Sequence, residues 1–152
     1  MKSILIDIKF IISWSQIEFL NKQFSEVIFK NHNGASLPFN SNVFDISYCS
    51  NTLHHMPNKT TLINMLENMF KVSKKIIIIE IEDPKIIGGF PRWLNEKWYR
   101  GFLKDVGGAY LSKEEFSVII NRLFKEKARI KIFNFKNITG NYMIAEITKE
   151  DF

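Results

Sequence analysis

Short apolar runs alternate with amphipathic segments along the first half of the chain. The runs at residues 4–8, 27–30, 44–49 and 76–81 are mainly apolar, and the first and last are rich in isoleucine, which is typical of strands buried on both faces of a parallel sheet. Between them, apolar positions recur at helical spacing in residues 14–24 and 60–71. Strands that alternate with helices of this length predict right-handed crossovers and an α/β fold with a mostly parallel sheet.

The second half of the chain predicts a variable segment, a helix and a hairpin. Residues 84–111 are rich in glycine, proline and aromatics, and roughly residues 91–103 of this segment should be helical, with proline in the first turn. Ser112 and Glu115 have the spacing of a capping box that opens a helix to about residue 125. Residues 129–135 and 142–147 then predict two strands around a turn.

Composition narrows the class of protein. A chain of 152 residues that is 45% hydrophobic fits one globular domain, residues 1–152. The single cysteine, Cys49, excludes a disulfide scaffold and favours a reducing, cytoplasmic setting, and its apolar neighbours predict a core position. No run approaches the roughly 20 apolar residues needed to span a bilayer. The net charge of +5 is only mild support for an anionic partner.

The most informative motifs lie between residues 33 and 56. They read Asn-Gly-Ala-Ser-Leu-Pro-Phe at 33–39, Phe-Asp at 44–45 and Leu-His-His at 53–55. In this order they resemble the pattern Asp-Ala-x-x-Leu-Pro-Phe, Phe-Asp, Leu-His-His of the class I S-adenosylmethionine-dependent methyltransferases, specifically the small-molecule "type 11" domain. The resemblance extends from about residue 4 to residue 147. It implies a Rossmann-like sheet with an antiparallel C-terminal strand, S-adenosylmethionine as cofactor and methyl transfer to a small molecule.

The resemblance also implies cofactor contacts. It assigns Asp7 to the ribose hydroxyls, although a strand-end carboxylate can equally cap local backbone. It places Asn33 where the family has the aspartate that holds the adenine amino group, and an asparagine carbonyl can still accept that bond, without the help of a charge. The implied cofactor set is Asp7, Asn33, Gly34, Ala35, Ser50, Asn51 and Thr52, the last three facing the methionine part.

The candidate catalytic residues are two adjacent histidines. His54 or His55 has the intrinsic pKa range of a general base, whereas the alternative is that both simply pack at the start of a helix. Adjacent histidines lack the spacing of a helical metal site, so no metal is predicted. Trp93, Trp98 and Tyr99 are candidate substrate contacts in the aromatic segment, with core packing as the alternative.

Two groups of charged residues are not predicted to form binding sites. Glu80, Glu82 and Asp83 end a strand on the ligand side, where they could bind a metal or an amine, but solvated charge is the simpler prediction. The basic segments 71–75 and 125–129 are not interleaved with stacking aromatics, so nucleic-acid binding is not expected.

One family feature is missing from the sequence. No Gly-x-Gly occurs and the first glycine is Gly34, so the chain is expected to be N-terminally truncated relative to the family, without its first strand and glycine-rich turn. That strand is central in the sheet, so either residues 4–8 pair directly with 44–49, or a second copy or partner chain completes the sheet, or the sequence is a fragment. The alternative function is therefore a non-catalytic remnant or partner subunit that does not bind the cofactor alone.

Overall fold

A computed structural model describes residues 3–6, 22, 37–83, 85–86, 108–137 and 140–150. The elements predicted at 14–24, 27–30 and 91–103 lie outside these residues. The strands are β1 (Ser3–Ile6), β2 (Phe44–Ser50), β3 (Ser73–Ile81), β4 (Ala128–Asn137) and β5 (Gly140–Lys149), and the helices are α1 (Lys59–Val72) and α2 (Lys113–Phe124), with a 3-10 turn at Leu53–His55.

The described strands form one sheet in the order β1-β2-β3-β5-β4. β1, β2 and β3 are parallel, while β5 runs antiparallel to both of its neighbours. The predicted α/β class, with an antiparallel C-terminal strand in a mostly parallel sheet, is confirmed. β1 pairs directly with β2, from Ser3↔Ile46 to Ile6↔Cys49, which is the first of the three arrangements expected from the missing glycine motif.

The core lies between one face of the sheet and the two helices. Phe70 of α1 and Phe124 of α2 stack with ring centroids 4.8 Å apart, so both helices cover the same face. The strand side chains below them, among them Cys49, Ile76 and Ile78, are fully buried. Cys49 is therefore a core residue, as predicted. On the opposite face, side chains such as Ile77 and Ile79 are only half-buried.

Both helices begin with polar caps, and the one at Ser112 is the predicted capping box. The Asn58 side chain accepts a hydrogen bond from the Thr61 N–H at 2.9 Å. Ser112 and Glu115 form a complete capping box, in which each side chain accepts from the other residue's backbone N–H, and this satisfies N–H groups that a helix start leaves without partners. Lys59 and Glu115 then link the first turns of the two helices through an ion pair of 2.5 Å.

The hairpin of β4 and β5 is longer than predicted. Its register runs from Ala128↔Lys149 to Asn137↔Gly140, so each strand extends beyond the run of apolar residues that signals it. Across the ranges that the structure describes, no helix is both long and apolar enough to cross a membrane.

Candidate functional site

The site is built where the chain leaves the carboxyl end of β2. Asn51 follows the strand with φ of 46°, a left-handed conformation that asparagine tolerates better than most residues. Its N–H donates to the Ile79 carbonyl of β3 at 2.8 Å. The Thr52 hydroxyl donates back to the Ser50 carbonyl at 2.8 Å. This sharp exit turns the chain into the 3-10 turn and then into α1.

Glu80, near the end of β3, accepts hydrogen bonds from the 3-10 turn. Its side chain is buried, and Oε2 accepts from the backbone N–H groups of Thr52 at 3.1 Å and Leu53 at 2.7 Å. Oε1 accepts from the N–H of Ile81 at 2.9 Å. A carboxylate with these bonds satisfies three buried donors at once, each of which would be costly to leave unpaired.

His54 is the fourth donor to Glu80. Its Nδ1 lies 2.5 Å from Oε1, and because a carboxylate oxygen only accepts, Nδ1 carries the proton. In the neutral form of the ring the lone pair is then on Nε2. The imidazole is 3% exposed. It stacks on the Tyr110 ring, with centroids 4.8 Å apart and planes 14° apart, and contacts the His55 ring at 4.1 Å. His54 is thus fixed in both orientation and tautomer.

The segment 108–111 packs over the turn. The Ala109 N–H donates to the His54 carbonyl at 3.1 Å. A Cβ on Gly108 would lie 2.8 Å from the carbonyl oxygens of both Met56 and Pro57, so this close approach of two backbone segments needs glycine. The segment that leads into α2 is therefore joined to the histidine turn by backbone contacts.

Glu82 forms a second buried carboxylate junction two residues beyond Glu80. Oε1 accepts from the Lys113 N–H at the start of α2 at 3.2 Å, and Oε2 accepts from the Asn141 side chain at 2.8 Å. Glu80 and Glu82 are 1% and 4% exposed. The prediction that they are solvated is wrong, because protein donors from distant parts of the chain replace water around both.

The side-chain oxygen of Asn51 lies buried at the site. The Oδ1 atom of Asn51 is buried and accepts no hydrogen bond from the described part of the chain. Buried acceptors in native proteins are nearly always satisfied, and this one lies at the carboxyl end of a central parallel strand, where α/β sheets bind ligands. The atom is suited to accept a hydrogen bond from an amino group.

The structure brings together five of the sequence-predicted residues: Ser50, Asn51, Thr52, His54 and His55. The others lie outside the described residues, and their roles stay predictions: Asp7, Asn33, Gly34, Ala35, Trp93, Trp98 and Tyr99. The sequence reasoning missed Glu80 as the residue that holds the turn. Its only local signal is a single carboxylate inside an otherwise apolar isoleucine run, where solvation is implausible.

Metal-ligand geometry does not occur in the described ranges: no three His, Cys, Asp or Glu side chains among them converge as metal ligands would. The nearest approach to such a cluster is the pair formed by His54 and Glu80, in which the two groups bind each other.

Comparisons with known proteins agree with this architecture. The sequence model of a family described as "Methyltransferase domain" matches residues 9–78. A search of curated protein sequences finds no match. Among solved structures, an S-adenosylmethionine-dependent methyltransferase from Methanosarcina mazei superposes with a TM-score of 0.62 at 13% identity, covering 98% of this chain and 83% of that one.

Two further structures are similar. A methyltransferase from Thermotoga maritima, described as a possible histamine N-methyltransferase, gives a TM-score of 0.61 at 15% identity, with 91% of this chain and 71% of that one covered. Magnesium protoporphyrin IX methyltransferase from Synechocystis, solved with bound S-adenosylhomocysteine, gives 0.57 at 15% identity, with 91% and 62% covered. The resemblance found in the sequence is thus confirmed: residues 9–78 match the methyltransferase-domain family, and the chain has the fold of class I S-adenosylmethionine-dependent methyltransferases.

Proposed function

We propose that this protein transfers a methyl group from S-adenosylmethionine to a small-molecule acceptor. The family match and the fold support the class of reaction. The observation that carries the proposal to this chain's own residues is the unsatisfied Asn51 oxygen, at the strand end where the resemblance assigns the methionine part of the cofactor.

The described residues fit this cofactor. An ammonium group beside Asn51 would satisfy its buried Oδ1, and a hydrogen bond to a charged donor is stronger than a neutral one. Ser50 and Thr52 flank this position. Asp7 would hold the ribose hydroxyls, and Asn33, with Gly34 and Ala35, would hold the adenine, as the resemblance assigns them.

The protein's part in the reaction is positioning and proton transfer. The cofactor, when bound, supplies a methyl group activated by a sulfonium. Direct displacement then requires an acceptor held in line in a site shielded from water, a task assigned to Trp93, Trp98 and Tyr99. His54 or His55 would take the acceptor's proton, and Glu80 keeps the His54 ring in one orientation.

The acceptor class is supported by the similar structures. The Thermotoga maritima protein is described as a possible histamine N-methyltransferase and the Synechocystis enzyme as magnesium protoporphyrin IX methyltransferase. Histamine and magnesium protoporphyrin IX are both small molecules, although they differ greatly in size and charge. We infer a small-molecule acceptor here as well, in a cytoplasmic protein, with a second copy or partner chain as a further expectation.

Calorimetric titration with S-adenosylmethionine tests the proposal. We expect saturable binding, and Asn51→Gly should weaken it about tenfold or more because the acceptor is lost while the left-handed backbone is kept. Asn51→Asp is the matched variant. It retains an acceptor at the same place and should bind at least as tightly as the original protein, since an ammonium meets a charge.

The same titration distinguishes the alternative function. No heat and no thermal shift with millimolar cofactor would contradict the enzyme and favour a non-catalytic domain. Equal affinities of the glycine and aspartate variants for S-adenosylmethionine would show that the protein binds the cofactor without a contact from Asn51.

A further inference from the structure

The β4 strand carries two exposed aromatic side chains on one face. Phe133 and Phe135 are 52% and 55% exposed. β4 is the last strand of the described sheet and pairs only with β5. Exposed aromatics next to one another are more informative than scattered ones, because adjacent apolar groups on a surface mark binding sites.

The sheet register shows which face these rings share. Phe133 lies opposite Ile144 and Phe135 lies opposite Tyr142, and directly paired residues project to the same side of a sheet. Both partners are half-buried. Ile132, between the two phenylalanines, packs instead against the core. The two rings therefore extend an apolar surface on the face of the sheet that α1 and α2 do not cover.

Cations continue the same row. Arg129 and Lys131 precede the phenylalanines at the same strand period and are exposed. Neither forms an ion pair with any described residue. The one carboxylate across the row, Glu146 opposite Lys131, is neutralised by Lys75 at 3.1 Å. The outer row of β4, defined as Arg129, Lys131, Phe133 and Phe135, is thus cationic at one end and aromatic at the other.

This combination fits one kind of partner best. Phosphates are bound by unpaired arginine and lysine, and bases stack on exposed aromatic rings. RNA-binding sheets present a cation followed by aromatics two residues apart on one strand, the spacing of Lys131, Phe133 and Phe135. Rings two residues apart lie roughly 7 Å from each other along a strand, so neighbouring bases of an extended chain can each face one ring.

We propose that the outer row of β4 binds single-stranded nucleic acid, with bases on Phe133 and Phe135 and phosphates on Arg129 and Lys131. From the sequence, the basic segment 125–129 alone does not predict nucleic-acid binding, because it contains no aromatic residue. Phe133 and Phe135 follow this segment, and the alternation of side chains along β4 places them on the same face as Arg129. The proposal is independent of methyl transfer.

Fluorescence polarisation with labelled ten-nucleotide oligouridylate and oligothymidylate tests it on the full chain. We expect salt-dependent binding. Phe133→Ser with Phe135→Ser should weaken it by about tenfold or more per ring. Arg129→Ala with Lys131→Ala should weaken it and lower the slope of log affinity against log salt by roughly 1.4.

The matched control removes similar side chains elsewhere. Val118→Ala with Lys71→Ala deletes an exposed apolar group and an exposed cation from α2 and α1, on the opposite side of the sheet, and should leave the affinity unchanged. Unaltered thermal midpoints would show that each variant folds.

Three outcomes would overturn the proposal. The first is no binding of either oligonucleotide, or equal weakening by the control pair. The second is binding of phosphatidylserine vesicles, but not oligonucleotides, that depends on the two phenylalanines. The third is concentration-dependent self-association that the phenylalanine variant abolishes while oligonucleotides fail to bind.

Discussion

Glu80 lies in β3 and Glu82 directly follows that strand; both are buried, yet they serve different regions. Glu80 binds the turn that carries the candidate catalytic histidines, whereas Glu82 joins the start of α2 to the start of β5. The donors differ in kind. Three of the four groups around Glu80 are backbone N–H groups, but one of the two partners of Glu82 is the Asn141 side-chain amide, which can rotate.

This difference determines whether each carboxylate can be replaced by an amide. An amide that replaces a carboxylate offers one acceptor and one donor, so it fits only where a partner can reverse its role. Asn141 can do so by turning its amide. The backbone N–H groups of Thr52, Leu53 and Ile81 cannot reverse their role as donors. Replacement of Glu80 should therefore destabilise the protein more than replacement of Glu82.

The largest expected effect comes from Glu80→Gln. Whichever way the new amide points, its NH2 group meets at least one fixed backbone N–H, so we expect a loss of roughly 3 kcal/mol in the free energy of unfolding. Urea denaturation measures it. The favoured orientation leaves the oxygen on Thr52 and Leu53, and it requires His54 to move its proton from Nδ1 to Nε2.

Nitrogen NMR of the His54 ring checks that second consequence. A proton on Nδ1 in the original protein and on Nε2 in the variant is the expected pair of spectra. The same tautomer in both proteins would show that Glu80 does not set the state of the ring.

Gly108→Ala should have the next largest effect. The added methyl would lie 2.8 Å from two backbone carbonyl oxygens of the turn, and relieving this overlap should cost about 2 kcal/mol. Thermal unfolding measures the cost, with Val118→Ala on the exposed face of α2 as the control. A change within a few tenths of a kcal/mol would mean that the segment above the histidine turn moves freely.

Glu82→Gln is the direct counterpart of the first variant and should cost less than about 1 kcal/mol. Its oxygen can stay on the Lys113 N–H while its NH2 group meets the rotated Asn141 amide. Denaturation under the conditions used for Glu80→Gln gives the comparison. Equal losses for the two variants would remove the distinction between fixed and rotatable donors.

The smallest effect concerns the ion pair that connects the two regions. The hydrogen bond from Lys59, with a second from the Ser112 backbone, lowers the pKa of Glu115 below the ordinary value of a glutamate. A lowered folded pKa adds stability above the unfolded value, and this stability is lost as the pH falls through the folded value. Because both side chains are about half exposed, Glu115→Gln should cost only a few tenths to about 1 kcal/mol at pH 7.

The control for this last prediction is the pH dependence of the difference in unfolding midpoint between the two proteins. Midpoints of the original protein and Glu115→Gln should converge as the pH falls below the folded-state pKa of Glu115, once the carboxyl group is protonated. A gap that persists there would assign the loss to the capping box rather than to the charge.

Local signals were enough to predict much of the fold. The isoleucine run of β3 and the capping box at Ser112 are each contained in a few adjacent residues, and the observed elements agree with them to within three residues at each end. The direct pairing of β1 with β2 is one of three arrangements that the sequence leaves open, because an empty central position would leave backbone groups unpaired; the structure selects it.

The candidate site could be predicted only in part, for a physical reason. The family motif located Ser50 to His55, but the burial of Glu80 depends on donors 26 to 28 residues away in the sequence. No local pattern encodes that arrangement. The sequence alone therefore predicts solvation for this charged strand end, although the fold brings two backbone N–H groups and the His54 ring to it.

The way Glu80 occupies the histidine turn also limits what the turn can bind. The free N–H groups at a helical start attract anions, but those of Thr52 and Leu53 already donate to a carboxylate of the protein itself. A phosphate or carboxylate on an incoming molecule would find this position filled and negatively charged. The Glu80 carboxylate thus competes with anionic ligands for these two N–H groups. We expect this end of the sheet to bind neutral or cationic groups of a ligand in preference to anionic ones.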